Sequence, residues 1–111
     1  MDLLRGHVER FNAGVRAGDF STMLDALSDD AELEFVGVPV GPFRGRAEIA
    51  EAYRVRPPDD EILVIDERAD GDTLVAGYAW AVDPDTRAGE LRLTVREGLI
   101  RRMVVTFDQR E

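Results

Sequence analysis

The spacing of the apolar residues changes once along this chain, near Pro58, and that change limits the folds available to it. Before Pro58 the apolar residues mostly recur every three or four positions, as on one face of a helix. After it they recur every second position, as on one face of a strand. The pattern therefore predicts helices first and a set of strands second, which is an α+β protein.

The first half predicts three helices and one strand. The apolar face of the first helix is formed by Leu4, Val8, Phe11 and Val15. Gly18 is placed to end this helix, and Asp19 to cap a second short helix in "DFSTMLDALSDD". Asp29 and Asp30 are expected to be capping or turn residues before a strand in "AELEFV". A third helix is predicted in "RAEIAEAY", after a segment, "GVPVGPFRG", that is too rich in glycine and proline to be regular.

The second half predicts four strands joined as antiparallel hairpins, in "EILVIDER", "DTLVAGYAWAV", "ELRLTVR" and "LIRRMVVTFD". Asp70 and Gly71 predict a tight turn between the first two. One face of the long second strand has mostly large residues and is expected to meet the helices: Leu74, Ala76, Tyr78, Trp80 and Val82. The other face has mostly small residues: Val75, Gly77, Ala79 and Ala81. This small face would let a second subunit approach closely, or it packs under the chain's own tail.

Composition excludes several classes of function. The 111 residues are enough for one domain with a real core, which we place at 1–111. Because the chain has no cysteine, no lysine and a single histidine, we expect no disulfide, no thiol or Schiff-base chemistry and no zinc site. The net charge of −9 argues against binding to nucleic acid or to an anionic membrane. We therefore predict no metal, no cofactor and, since no long apolar run is present, a cytoplasmic protein.

The segments "RFNAGVRAGDFSTMLDALSDDAELEF" and "GPFRGRAEIAEAY", followed by the run of strands, make the chain resemble the nuclear-transport-factor-2-like superfamily. That superfamily includes ketosteroid isomerases and SnoaL-like polyketide cyclases, and the resemblance covers essentially the whole chain. It implies a cone-shaped, curved antiparallel sheet wrapped around three N-terminal-half helices, the cystatin-like architecture. It also implies an apolar pocket and a homodimer. The fold alone does not imply a reaction.

Ketosteroid isomerases use a carboxylate base and two acidic hydrogen-bond donors, a tyrosine and a protonated aspartic acid. The resemblance places the donor tyrosine at Phe11, the base at Phe35 and the protonated acid at Leu91. A supporting tyrosine at the end of the third helix is retained as Tyr53. None of the three apolar side chains can move a proton or donate a hydrogen bond, so the chain departs from the isomerase pattern.

The residues expected to line the pocket share the predicted inner face. They are Phe11, Phe35, Phe43, Tyr53, Tyr78, Trp80, Leu91, Met103, Val105 and Phe107. For each of them, plain core packing is the alternative. Tyr53 and His7 are the candidates for catalysis, since a tyrosine can donate a hydrogen bond to a carbonyl or enolate oxygen and a histidine titrates near neutral pH. His7 either faces the same cavity, one turn before Phe11, or lies on the surface of a frayed helix.

A shift of one residue in strand register would change the chemistry of the pocket, because it turns every side chain to the opposite face. Glu34 would then point inward in place of Phe35. Glu90 and Arg92 would likewise enter the pocket. That arrangement resembles the Asp/Arg cluster of relatives that open epoxides with water. The apolar face fits a core better, because unpaired buried charges are costly.

Two functions of different classes follow from these patterns. The first is a small-molecule pocket protein that binds a small apolar ligand, or converts it by isomerisation or cyclisation, with Tyr53 as a polar handle. The second is a non-catalytic homodimerisation module whose pocket is filled by its own side chains. The aromatic residues gathered on one concave face favour the first function.

Overall fold

The structure, a computed structural model, describes residues 2–108 of the chain. Its elements run in the following order: α1 Asp2–Ala17, α2 Ser21–Asp25, β1 Leu27–Val36, β2 Phe43–Arg44, α3 Arg46–Val55, β3 Ile62–Asp70, β4 Thr73–Trp80, β5 Arg87–Arg96 and β6 Leu99–Phe107. The predicted α+β class, with N-terminal helices packed against a curved sheet, is confirmed.

A glycine ends the first helix, as the sequence predicts. Gly18 has a φ of +70°, in the left-handed region, and its N–H donates to the carbonyl of Gly14 at 2.8 Å. The carboxylate of Asp19 then accepts a hydrogen bond from the backbone N–H of Ser21 at 2.9 Å. Any side chain at Gly14 would collide with the ring of Phe20, so this glycine lets α2 pack closely on α1.

The second helix is shorter than predicted, because residues 27–30 belong to β1. Leu27 is fully buried and pairs with Ile100 of β6, and that long-range pairing overrides the helical spacing. Asp29 is therefore not a turn residue. It accepts a hydrogen bond from the guanidinium of Arg46 at 2.6 Å, which ties β1 to the start of α3. Asp30 likewise lies within the strand and accepts a hydrogen bond from Ser28.

The six strands form one sheet in the order β2-β1-β6-β5-β4-β3. Its pairs are antiparallel, as expected, except that β1 and β6 run parallel. A parallel pair is possible here because α3 and four strands separate the two in the chain. The segment predicted to be irregular contains β2, which pairs with β1. The sheet has an irregularity in each of the pairs β3–β4, β4–β5 and β5–β6, and such bulges increase strand bending.

Polar side chains of the first helix fix it to the edge of the sheet. The amide of Asn12 donates to the carbonyl of Ile62 at 3.0 Å and accepts from its N–H at 2.9 Å. Farther along α1, Arg16 pairs with Glu61 at 2.6 Å. These contacts hold α1 over β3 and leave space between the helices and the middle of the sheet.

The small-residue face of β4 is already covered. Val75 and Ala79 have no exposed surface, and a side chain at Gly77 would lie 3.0 Å from the carboxylate of Asp66 and 3.3 Å from the guanidinium of Arg87. Side chains of the neighbouring strands thus occupy the face where a close subunit approach was expected. The alternative expectation was that the chain's own tail packs against this face. That tail lies largely in residues 109–111, outside the described residues. Val82 lies beyond the end of β4 and is 82% exposed, so it does not meet the helices.

Candidate functional site

A cavity of about 580 Å³ lies between the inner face of the sheet and helices α1 and α3. Ligand pockets in proteins typically have volumes of roughly 300–1,000 Å³. All of the residues selected from the sequence border this cavity: His7, Phe11, Phe35, Phe43, Tyr53, Tyr78, Trp80, Leu91, Met103, Val105 and Phe107. The structure therefore brings the whole set together around one space.

Strand alternation and register explain why these side chains meet. Met103 and Val105 of β6 lie beside Leu33 and Phe35 of β1, respectively, and Leu91 of β5 lies on the other side of Val105. Side chains at alternate positions of a strand point to the same face. The three strands thus build continuous apolar rows along the floor of the cavity.

Aromatic contacts connect side chains within the sheet wall of the cavity. Phe35 stacks on Phe107 with ring centroids 6.1 Å apart and meets Phe43 edge to face at 6.4 Å. Tyr78 and Trp80 form a second edge-to-face pair at 5.5 Å. Such ring pairs are worth about 0.5–1.5 kcal/mol beyond the area they bury. They therefore stabilise the packing of the sheet wall.

Tyr53 enters the cavity from α3. Its ring packs edge to face on Phe20, with centroids 5.0 Å apart, and its side chain is half-buried. Burial raises the pKa of the Tyr53 hydroxyl well above its usual range. At neutral pH this hydroxyl is therefore uncharged and can donate a hydrogen bond to a molecule in the cavity.

Tyr78 is the more deeply buried tyrosine, with 2% of its surface exposed. Burial, assisted by the negative charge of Asp108, raises its pKa to about 12, although Arg87 opposes the change. Its hydroxyl has no hydrogen-bond partner among residues 2–108. The sequence identified Tyr78 as a lining residue but gave no signal that its hydroxyl would be unpaired.

His7 is buried, with 3% of its surface exposed, so the alternative of a surface histidine is wrong. The reason is its place on α1, within the stripe formed by Leu4, Val8 and Phe11, which packs into the core. Burial, together with the nearby charge of Arg10, lowers the pKa of His7 to about 4. The imidazole is therefore neutral at pH 7. Its Nδ1 atom has no hydrogen-bond partner within the part of the chain that the structure describes.

The mouth of the cavity was missed by the sequence reasoning. It is formed partly by one face of α3, at Glu48, Glu51, Ala52 and Val55, and by Arg56 just after the helix. Glu51 is held by Arg54, whose Nε lies 2.9 Å from its carboxylate, and Glu48 accepts from the backbone N–H of Arg44. Glu48, Glu51 and Arg56 are polar, which is typical of a solvated helix face. The spacing of three or four residues among these mouth positions is the signal in the sequence that places them on one side of the helix.

The charged residues of the alternative register lie on the other side of the sheet. Glu34 pairs with Arg102 at 2.7 Å, and Glu90 pairs with Arg92 at 2.9 Å. None of these four side chains borders the cavity. The one-residue shift in register, which would place Glu34, Glu90 and Arg92 in the cavity, is therefore not observed. Among the described residues, the carboxylates that border the cavity are those of Glu48 and Glu51, at its mouth.

A curved sheet that encloses an apolar cavity against three helices defines the cone-shaped class of α+β pocket proteins. A family model described as the SnoaL-like domain matches residues 8–103. The chain therefore belongs to the SnoaL-like family. No curated protein matches the sequence. No helix among residues 2–108 is long and apolar enough to span a membrane.

Solved structures share this fold at low sequence identity. A candidate ketosteroid isomerase from Kribbella flavida is 18% identical, with a TM-score of 0.69, covering 100% of this chain and 82% of its own. A candidate polyketide cyclase from Sinorhizobium meliloti is 16% identical, with a TM-score of 0.63 and coverages of 90% and 93%. A protein of unknown function with a cystatin-like fold, from Methylobium petroleophilum, is 18% identical, with a TM-score of 0.71 and coverages of 99% and 78%. At such identities the likeness shows the fold.

Proposed function

We propose that this protein binds a small, mostly apolar ligand in the cavity, and that any conversion it catalyses is an isomerisation or cyclisation driven by orientation. The observation that carries the proposal is the cavity of about 580 Å³ walled by aromatic rings in a chain of 111 residues. A chain this short has little core to spare, so a space of this size is unlike a packing defect. Membership of the SnoaL-like family supports the same conclusion.

Among residues 2–108, no strong base lines the interior of the cavity, which favours binding and orientation over acid–base chemistry. A general base works best when its pKa lies near the operating pH. The pKa of His7 is lowered to about 4, and Phe35 and Leu91, which border the cavity, are the residues that the family resemblance aligns with the acids of the isomerases. We assign Tyr53 and His7 the role of hydrogen-bonding groups that orient the ligand. Orientation alone can lower a reaction barrier by several kcal/mol.

The competing function, a homodimerisation module with a filled pocket, is disfavoured by the open cavity. Homodimerisation itself stays a prediction drawn from the family resemblance, and sedimentation of the purified protein would test it. A cytoplasmic location and the lack of a nucleic-acid partner stay predictions as well. The net charge of −9 supports the latter.

The proposal can be tested with 1-aminoanthracene, an uncharged apolar dye that becomes fluorescent in apolar surroundings. The dye should bind the wild-type protein, and Val105→Trp, which fills part of the cavity, should weaken binding by about tenfold or more, since a filled site loses the apolar contacts that bind the dye. Val104→Trp is the matched control, because Val104 is the next residue of β6 and does not border the cavity. Thermal unfolding would verify that both variants fold.

Two outcomes would overturn the proposal: no binding by the wild-type protein, or equal binding by both tryptophan variants. Tyr53→Phe tests the polar handle separately. It should weaken a ligand that carries a carbonyl or hydroxyl group by several-fold and leave the apolar dye unaffected. Unchanged affinity for both kinds of ligand would remove Tyr53 from the site.

A further inference from the structure

We propose that the cavity takes an apolar ligand with one carboxylate, whose apolar body fills the cavity and whose carboxylate pairs with Arg56 at the mouth. This inference rests on the proposed function, since it names the class of ligand that the same cavity takes. Arg56 borders the cavity and corresponds to none of the positions carried over from the isomerases. It supplies a positive charge at the entrance to a largely apolar space.

Arg56 lies on the side of α3 that faces the cavity, at a place that a ligand can reach. The helix ends at Val55, but the N–H of Arg56 still donates to the carbonyl of Ala52 at 3.0 Å, as an α-helical residue does. Ala52 also borders the cavity, and Arg56 follows it one turn later on the same side. Arg56 is exposed, so a molecule that enters the cavity passes its guanidinium.

The charge of Arg56 is available, whereas the other charged groups at the mouth are engaged. Glu51 accepts two hydrogen bonds from the guanidinium of Arg54. Glu48 accepts a hydrogen bond from the backbone N–H of Arg44 at 3.1 Å. The guanidinium of Arg56 makes no hydrogen bond or ion pair within residues 2–108. A ligand can therefore supply the partner that this part of the chain does not.

The repulsion that a carboxylate would meet beside Arg56 is small. Glu48 precedes Arg56 by eight residues, which is roughly 12 Å along the helix axis. Exposed charges this far apart are largely screened at physiological salt, where the Debye length is about 8 Å. The charge of Glu51 is offset by Arg54. A cationic ligand would instead meet the guanidinium of Arg56 and find both glutamates already engaged.

The chemistry of the site determines the kind of ligand and the number of its charges. A guanidinium only donates hydrogen bonds, and its planar fork matches the two oxygens of a carboxylate. Among the described residues that border the cavity, Arg56 is the only cation at pH 7, since the pKa of His7 is lowered to about 4. A second charge, deeper in the cavity, would be buried without a partner, which is costly. The ligand therefore has one charged end and an apolar body.

The experiment is a calorimetric titration at pH 7.5 with naphthalene compounds that differ in their head group. They are 2-naphthyl carboxylates with one, two or three methylene groups between ring and carboxylate, the amide of each, and 2-(2-naphthyl)ethylamine, which is a cation at this pH. The three lengths allow the head group to reach the mouth. The carboxylate of the best length should bind about three- to fivefold more tightly than its amide, as expected for a partly exposed ion pair. The cation should bind more weakly than the amides.

Arg56→Gln should abolish the preference for the carboxylate and leave the affinity for the amides within about twofold, since the apolar contacts persist. Arg56→Lys should keep part of the preference, because it keeps the charge but loses the planar fork. Arg101→Gln is the matched control, because it removes the same charge from an exposed arginine that does not border the cavity. This control should keep the wild-type preference. Thermal unfolding would verify that all three variants fold.

If the carboxylates of all three lengths bind no better than their amides, or if the cation binds best, the ligand class is wrong while the proposed function stands. If Arg56→Gln keeps the preference, or if Arg101→Gln loses it equally, Arg56 is not the anchor. Its role is then that of a basic residue at a helix C-terminus, where a positive charge is stabilising. If these compounds and 1-aminoanthracene all fail to bind, the proposed function itself fails.

Discussion

The two faces of β5 differ in chemistry, although they are built from alternate residues of the same strand. On the inner face, Leu91 borders an apolar cavity. On the outer face, its neighbour Glu90 lies 2.9 Å from Arg92 and within 4 Å of Arg87 and Arg68. The ion pairs of β5 are thus separated from the cavity by the thickness of one backbone.

Strand register, more than composition, therefore determines what the cavity can do. The pairing of β5 with β6 is uninterrupted from Gly89 opposite Phe107 to Thr94 opposite Arg102. A shift of one residue in that stretch would replace an apolar wall with acids and arginines. Substitutions that give one face the chemical character of the other test this dependence on register.

Moving a charge to the inner face should have the largest effect. Leu91→Asp places a carboxyl group where 4% of the side chain is exposed, and we expect a loss of roughly 3–5 kcal/mol in the free energy of unfolding. Burial should raise the pKa of the new carboxyl, so the loss should be larger at pH 8 than at pH 5. Urea denaturation at both pH values measures it.

The control for this exchange is Arg92→Leu, which removes a charge from the outer face of the same strand. Its side chain is 41% exposed, and we expect a change within about 1 kcal/mol. Equal losses for the two variants would mean that the faces do not differ in environment, and the account of the cavity given above would be wrong.

Truncations within the inner face distinguish its packed part from the cavity wall. Leu93 is fully buried in the core, and Leu93→Ala should cost roughly 2–5 kcal/mol. Phe35 borders the cavity and is half-buried, so part of its ring already lacks protein contacts. Phe35→Ala should therefore cost less, about 1–2 kcal/mol, despite removing more atoms. A larger loss at Phe35 than at Leu93 would indicate that the cavity is closed around that ring.

Local signals in the sequence were sufficient for much of the fold. The apolar spacing of α1, Gly18 at its end and the turn after Asp70 each depend on neighbouring residues, and all three appear in the structure. The beginning of β1 and its parallel pairing with β6 depend on partners about seventy residues away. No local pattern encodes them, which is why Leu27 was placed in a helix.

The sequence predicts which residues line the cavity, but not how deeply each is buried or whether its polar atoms are hydrogen-bonded. Alternation alone brings Phe35, Leu91 and Val105 to one face. The burial of His7 was also present in the spacing, since it adjoins the stripe of Leu4 and Val8, yet histidine is often a surface residue. That its Nδ1 atom lacks a partner depends on what packs around it, and only the three-dimensional structure contains that information.

The titration of His7 tests whether the inner face is as apolar as its lining suggests. Because the folded pKa of about 4 lies below the ordinary value of 6.5, the unfolded chain binds more protons between these values. The stability from neutral His7 is complete above pH 6.5 and is lost as the pH falls toward 4. From pH 7 to pH 5 this amounts to about 2 kcal/mol.

The carboxylates of the protein titrate in part of the same range, so the measured quantity is the difference between wild type and His7→Gln. A glutamine cannot take up the proton. The wild-type protein should lose about 2 kcal/mol more than the variant between pH 7 and pH 5, as measured by urea denaturation at each pH. If the free energy of unfolding changes with pH equally in the two proteins, His7 is solvated and water reaches this wall of the cavity.

The smallest effect should come from the outer face, where Glu34 and Arg102 pair at 2.7 Å with side chains 41% and 51% exposed. A double-mutant cycle with Glu34→Gln and Arg102→Gln should give a coupling of about 0.2–1 kcal/mol, because water screens exposed charges. The coupling should shrink further in about 1 M salt, where the screening length is short. A coupling that exceeded the cost of Phe35→Ala and resisted salt would mean that this pair is desolvated. The outer face would then be covered in solution, as expected if a second subunit packs on it, and the contrast between the two faces would hold only for the isolated chain.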